Sequence, residues 1–167
     1  MRLGVGAGGM RRDRGALAYL WLTALVIGLD QLSKTLIQKF LQLNQAVVVL
    51  PVLDITRVNN VGAAFSFLSD ASGWQRWLFS ILAMVVSVGL LWWLRRIDPR
   101  SRLLASAVSL ILGGALGNLI DRLRLGHVVD FISAHWGAHY FPAFNVADSA
   151  ITIGAALLLL DAWVEAR

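Results

Sequence analysis

Four stretches of this chain are long and apolar enough to cross a bilayer as helices, and nothing else constrains its fold as tightly. Spanning a hydrocarbon core takes about 20 mostly apolar residues in helical form. The stretches are residues 16–38, 77–94, 103–122 and 143–164. The second carries no charge, and the third none before Asp121. Asp30 and Lys34 interrupt the first, while Asp148 and Asp161 sit near the two ends of the fourth. Composition agrees: 57% of the 167 residues are hydrophobic and 15% charged, where a soluble domain has about 45–50% and about 25%. Disorder is excluded, because disordered chains are poor in apolar residues. Seven Trp suit a membrane-interface belt. With no Cys in the chain, disulfides, thiol nucleophiles and thiolate metal sites are excluded together. The sequence predicts an all-α membrane protein of four transmembrane helices. A single integral-membrane domain covers residues 16–167, behind a tail of residues 1–15.

Orientation follows from Lys and Arg. Arg2, Arg11, Arg12 and Arg14 precede the first span, Arg95, Arg96, Arg100 and Arg102 crowd the link between the second and third, and Arg167 ends the chain. These nine of the 15 basic residues fall on one side. Lys39, Arg57, Arg76, Arg122 and Arg124 are spread over two longer segments on the other. The positive-inside rule then places both termini in the cytoplasm. Anionic lipid at that surface accounts for the net charge of +5, with no nucleic-acid partner. An Arg-rich start and an apolar run also suit a cleaved signal peptide. Here the run is too long, no small-x-small site follows it, and Asp30 and Lys34 lie within it, so an uncleaved first helix is expected.

The two outer segments differ in chemistry. Gln45 to Val58 is rich in Val, Leu and Ile and then meets Asn59-Asn60-Val61-Gly62. That is strand followed by turn, so a small extracytoplasmic β-sheet on the outer membrane surface is expected. Ser69 to Trp77 reads as a short interfacial run into the second span. Leu123 to Pro142 holds Asp130 and all three His residues, and reads as a watery loop.

Ionisable groups inside a bilayer are expensive, and each is a functional candidate. Asp30 and Lys34 are four apart, so they share a helix face as an ion pair or as substrate contacts. Asn118, Asp121 and Arg122 share another face; Arg122 suits a bidentate carboxylate pair, and Asn118 offers both a donor and an acceptor. Asn145 and Asp148 repeat the three-residue spacing after Pro142, where a helix N-terminus favours negative charge. Asp130 lies in an apolar run just outside the third span. Two carboxylates in one dry site cannot easily both ionise, so one holds a proton. One then takes a proton from water while the other donates to a carbonyl oxygen, which is peptide hydrolysis without a covalent intermediate. Rival chemistries remain: a metal held by His127, Asp130, His135 and His139, a Ser66–Lys34 dyad, or an ion path through Asp30, Lys34, Asp121 and Asp148. A lipid-binding assembly factor is a further alternative.

The motifs taken in order resemble lipoprotein signal peptidase (signal peptidase II), an aspartic peptidase family. They are Asp30-Gln-Leu-Ser-Lys34, Asn60-Val-Gly62-Ala-Ala-Phe65-Ser66, Gly114-Ala-Leu-Gly-Asn118-Leu-Ile-Asp121-Arg122, Val128-Val-Asp130-Phe131 and Phe144-Asn145-Val-Ala147-Asp148. The resemblance covers about residues 16–164. It implies that Asp130 and Asp148 are catalytic, and that Asp30, Lys34, Asn60, Gly62, Gly114, Asn118, Asp121, Arg122, Asn145 and Ala147 bind substrate or support the site. It also implies four transmembrane helices with an extracytoplasmic sheet and a short interfacial helix, in the bacterial inner membrane. The substrate would be a diacylglyceryl-modified prolipoprotein cut just before its lipidated cysteine at the outer-leaflet side. A monomer in contact with membrane lipid, with no cofactor and no metal, completes the expectation.

Overall fold

The computed structural model describes residues 15–62 and 73–167. A 3-10 turn, Ala16–Tyr19, leads into α1, Leu20–Phe40; the remaining helices are α2, Trp74–Leu94, α3, Arg102–Leu125, and α4, Val146–Glu165. All four are long and apolar enough to cross a membrane. Helix α3 is central: 12 of its 24 residues are buried, against four of 21 in α1. The buried residues of α1 are Thr23, Val26, Asp30 and Lys34, a single stripe with three polar members. Its Leu25, Leu29, Leu32 and Leu36 are exposed. This polarity is the reverse of a soluble helix and suits a lipid surround.

Lipid removes the hydrophobic drive for helices to associate, so close backbone approach and polar contacts must hold the bundle. Glycines on α3 supply the approach. A Cβ on Gly113 would lie 2.8 Å from Val26 Cβ of α1, and one on Gly114 would run into the Ala147 carbonyl of α4. On α4, a Cβ at Gly154 would come within 2.8 Å of the Ala107 carbonyl. Thr23 Oγ1 donates to the Ser109 carbonyl at 2.8 Å, a polar contact deep between α1 and α3.

Four antiparallel strands lie at the end of the bundle where α1 and α3 finish: β1, Ala46–Leu50, β2, Leu53–Asn60, β3, Val128–Trp136, and β4, His139–Tyr140, in the order β1-β2-β3-β4. Arg57 ties the sheet to α1 by donating Nη1 to the carbonyls of Gln38 (3.3 Å) and Leu41 (3.0 Å). Gly126, at φ +83°, ends α3 in the left-handed conformation that lacks a Cβ clash, so β3 starts two residues later. That turn carries Asp130 back over the helix end.

Four expectations need correction. Asn59 and Asn60 are the last residues of β2 rather than a turn, and the β1–β2 turn falls at Pro51-Val52. Residues 128–136 form the strand paired with β2, not a loop, and Val128, Val129, Asp130 and Phe131 are all buried, so this part of the strand is covered on both faces. Trp74 to Trp77 are the first turn of α2, so that part of the interfacial run is not a separate helix; residues 69–72 lie outside the described residues. Helix α4 begins at Val146, because Phe144 still bridges Ile132 of β3.

Candidate active site

Asp130 and Asp148 arrive at the same place from different elements. On β2, Val58 lies opposite Asp130 and Asn60 opposite Val128, so Asn60 is the diagonal neighbour of Asp130 on one face. A bulge between Ile55 and Val58 sets this register. Asn60 Nδ2 donates to Asp130 Oδ2 at 2.9 Å. Its Oδ1 is already taken by the Gly62 N–H at 2.8 Å, which fixes the amide with its donor toward the carboxylate. Gly62 has φ +96° and sits under the Phe79 ring, where a Cβ would approach to 2.6 Å.

Asp148 is the third residue of α4, and Asn145 is the N-cap. Asn145 Oδ1 accepts from Asp148 N–H at 2.9 Å, and Asp148 Oδ2 accepts from Asn145 N–H at 3.2 Å, a reciprocal capping box. The same Asn145 donates Nδ2 to Asp130 Oδ1 at 2.7 Å. One fully buried asparagine therefore joins both carboxylates. Asn118 Nδ2 gives the Asp148 carboxylate its second donor, to Oδ1 at 2.7 Å.

Beneath this layer lies a dry charge cluster. Lys34 Nζ reaches Asp30 Oδ2 at 2.8 Å, Asp121 Oδ2 at 2.9 Å and Asn118 Oδ1 at 3.0 Å. The two carboxylates also hold backbone: Asp30 Oδ1 accepts from Ala147 N–H at 3.0 Å and Asp121 Oδ2 from Val129 N–H at 3.1 Å. The strand carrying Asp130 and the helix carrying Asp148 are thus pinned to one ammonium. Ala147 is fully buried, and a Cβ on Gly117 would lie 3.4 Å from its own Cβ.

Gln31, which its neutral character hid among ionisable neighbours, belongs here. Its Nε2 lies 2.8 Å from Asp121 Oδ1 and 3.2 Å from Asp30 Oδ2. Its place inside a membrane-length span, beside Asp30 and three residues before Lys34, is the available signal. Arg122 departs from its expected carboxylate pair: its Nη1 lies 3.4 Å from the Asn118 carbonyl and its guanidinium 5.5 Å from the Phe79 ring. Among the described residues it forms no ion pair. The four residues weighed as metal ligands do not converge. His135 stacks on Tyr140 at the far end of β3, 3.5 Å from Asp54, and no metal-ready group of three acidic or His residues occurs among the described residues. Ser66 and Phe65 lie outside the described residues.

Burial dominates the electrostatics of Asp130. Burial pushes Asp130, 2% exposed, from 3.8 to about 6; the Asn60 hydrogen bond opposes this and the nearby Asp148 charge adds to it. Near neutral pH such a carboxyl exchanges its proton readily, as a general acid or base must. Two cavities flank the pair. One, about 320 Å³, is lined by Val58, Asn59, Asn60, Val61, Asp130, Pro142 and Ala143. The other, about 400 Å³, is lined by Phe141, Phe144, Asp148, Ser149, Thr152 and Ile153. A buried carboxylate, Asp130, and a half-buried one, Asp148, lie between the two cavities and are held by amide donors, an arrangement equipped to activate water against a bound carbonyl.

Comparison with known proteins points the same way. The family described as signal peptidase (SPase) II matches residues 22–164. A lipoprotein signal peptidase of Pseudomonas aeruginosa is 58% identical over 149 residues, 88% of each chain. One from Pseudomonas syringae pv. tomato is 56% identical over 149 residues, 88% of this chain and 86% of that one. A solved bacterial membrane enzyme superposes with a TM-score of 0.78 at 31% identity, covering 90% of each chain.

Proposed function

The chain belongs to the signal peptidase II family, and from that premise we propose that Asp130 and Asp148 are its catalytic pair. The family's reaction is removal of signal peptides from prolipoproteins by hydrolysis of the bond before the lipidated cysteine. The observation that carries the proposal is the one asparagine, Asn145, donating to Asp130 while closing a capping box with Asp148.

The pair shares one proton. The ionised carboxylate takes a proton from a water molecule as its oxygen attacks the scissile carbonyl carbon, and the protonated carboxyl gives its proton to the carbonyl oxygen. Collapse of the tetrahedral intermediate breaks the C–N bond, and a proton passes to the cysteine amine. Water is the only co-reactant. Which aspartate starts protonated is a property of the coupled pair. Asn60, Asn118 and Asn145 orient the two carboxyls, while Asp30, Lys34, Gln31 and Asp121 hold the elements that carry them. Gly62, Gly114 and Ala147 keep those elements in close contact, and Arg122 adds positive charge beside the pair.

The distribution of Arg supports a cytoplasmic location for both termini, which puts the sheet and the active end at the outer leaflet of the inner membrane. Residues 16–167 then form one domain behind a cytoplasmic tail of residues 1–15. The test is cleavage in detergent, with no ion gradient. The purified protein should cut a diacylglyceryl-modified prolipoprotein peptide and spare the unmodified precursor. Absence of cleavage together with ion flux in sealed vesicles would instead support a transporter.

A further inference from the structure

We propose that the groove bounded by Phe141, Phe144, Thr152 and Ile153 receives one acyl chain of the substrate's diacylglyceryl group, and that the cavity on the Asp130 side, the more polar of the two, receives the peptide. The two cavities flanking the pair differ in polarity: Asn59, Asn60 and Asp130 stand among Val58, Val61, Pro142 and Ala143 in one, while Phe141, Phe144 and Ile153 dominate the other. The one beside Asp130 is lined by Asn59, Asn60 and the end of β2, and Asn59 Oδ1 is buried there without a hydrogen-bond partner among the described residues. A peptide needs such polar partners for its own backbone groups.

The one beside Asp148 is apolar in effect as well as in composition. Phe141 and Phe144 meet edge to face with ring centroids 6.1 Å apart, and Ile153 continues the wall along α4. Its two hydroxyls are turned inward on the helix. Ser149 Oγ donates to the Asn145 carbonyl at 2.9 Å, and Thr152 Oγ1 to the Asp148 carbonyl at 2.9 Å. Neither presents a free donor to an occupant. The groove also begins at Asp148 itself. This inference rests on the proposed reaction, in which the lipid is attached to the residue next to the scissile bond. A chain leaving that cysteine must start within a few bonds of the carboxyl pair, and the apolar groove is the exit that needs no desolvation of peptide groups. An acyl chain already in lipid gains little from mere transfer to another apolar place, so the groove selects by shape.

Two measurements test this. Ile153 is 54% exposed, so Ile153→Trp fills the groove without entering the bundle core. The ratio of kcat/KM for a long-chain over a short-chain diacylglyceryl substrate should fall about tenfold, the scale on which a pocket discriminates methylene groups. Leu159→Trp, at an exposed position of α4 outside the groove, should leave that ratio unchanged. Equal loss for both chain lengths, or none, overturns the proposal. In the second measurement, a diazirine placed on the acyl chain should label residues 141–153 of the wild-type protein on irradiation. Labelling confined to Val58–Val61 overturns it. Failure of the wild type to cleave any lipidated substrate would instead sink the proposed reaction, independently of which residues the acyl chain labels.

Discussion

Replacing Asn60 with Ala should move the pH–activity profile upward by about one unit. Asn60 Nδ2 donates to Asp130 Oδ2 at 2.9 Å, and this bond is the largest influence holding Asp130 down against burial. A hydrogen bond to a charged group contributes about 1.5–3 kcal/mol. Water entering from the adjoining cavity replaces part of it, leaving roughly 1.4 kcal/mol, which is about one pH unit. Losing a donor disfavours the carboxylate, so the Asp130 proton is held to a pH above the present value of about 6. The assay is kcat/KM against pH for a diacylglyceryl-prolipoprotein peptide in detergent, which reports the free enzyme's essential acid and base. In the proposed mechanism the two carboxyls share one proton, so the limbs should move in the same direction. A uniform loss of rate with the profile unmoved would show that Asn60 acts on geometry alone, and a downward displacement would refute the electrostatic argument.

Other outcomes follow from the same contacts. Gly114→Ala drives a Cβ into the Ala147 carbonyl, so thermal unfolding in detergent should show a loss of about 1–3 kcal/mol; an unchanged Tm would contradict that packing. Lys34→Met leaves Asp30 and Asp121 buried without their ammonium and should cost about 3–5 kcal/mol. Adding Asp30→Asn and Asp121→Asn, which remove the uncompensated charge and keep an acceptor oxygen, should recover much of that stability. Asp130 holds its proton more tightly folded, at about 6, than unfolded, at 3.8. The folded state therefore binds more protons between those values, and stability falls as pH rises through that window, by about 3 kcal/mol in all. In Asp130→Asn that component of the pH slope should vanish; a slope equal to wild type would place the titration elsewhere.

What could be read in advance was local. The Asp30–Lys34 pair follows from helical spacing, and the Asn145–Asp148 spacing is that of an N-cap and its third residue. The apolar spans were visible because lipid imposes their length. Contacts between distant segments were not. Asn60 meets Asp130 across 70 residues, Lys34 meets Asn118 across 84, and Asp30 caps Ala147 across 117. No local pattern encodes such pairings. Strand β3 reads as a loop in the sequence because Asp130, Ser133 and His135 break up its apolar residues, and the pairing with β2 that makes it a strand joins segments about 70 residues apart. Gln31 stands between Asp30 and Lys34, whose charges dominate that stretch of sequence, although an amide in lipid also needs partners.

The central claim is that Asp130 and Asp148 act as one unit. The most direct test measures substrate binding and single-turnover cleavage for Asp130→Asn and Asp148→Asn. The account predicts that each variant still binds the lipidated peptide and that each loses cleavage by a factor on the order of 10²–10⁴. Either variant cutting at near wild-type rate would contradict it.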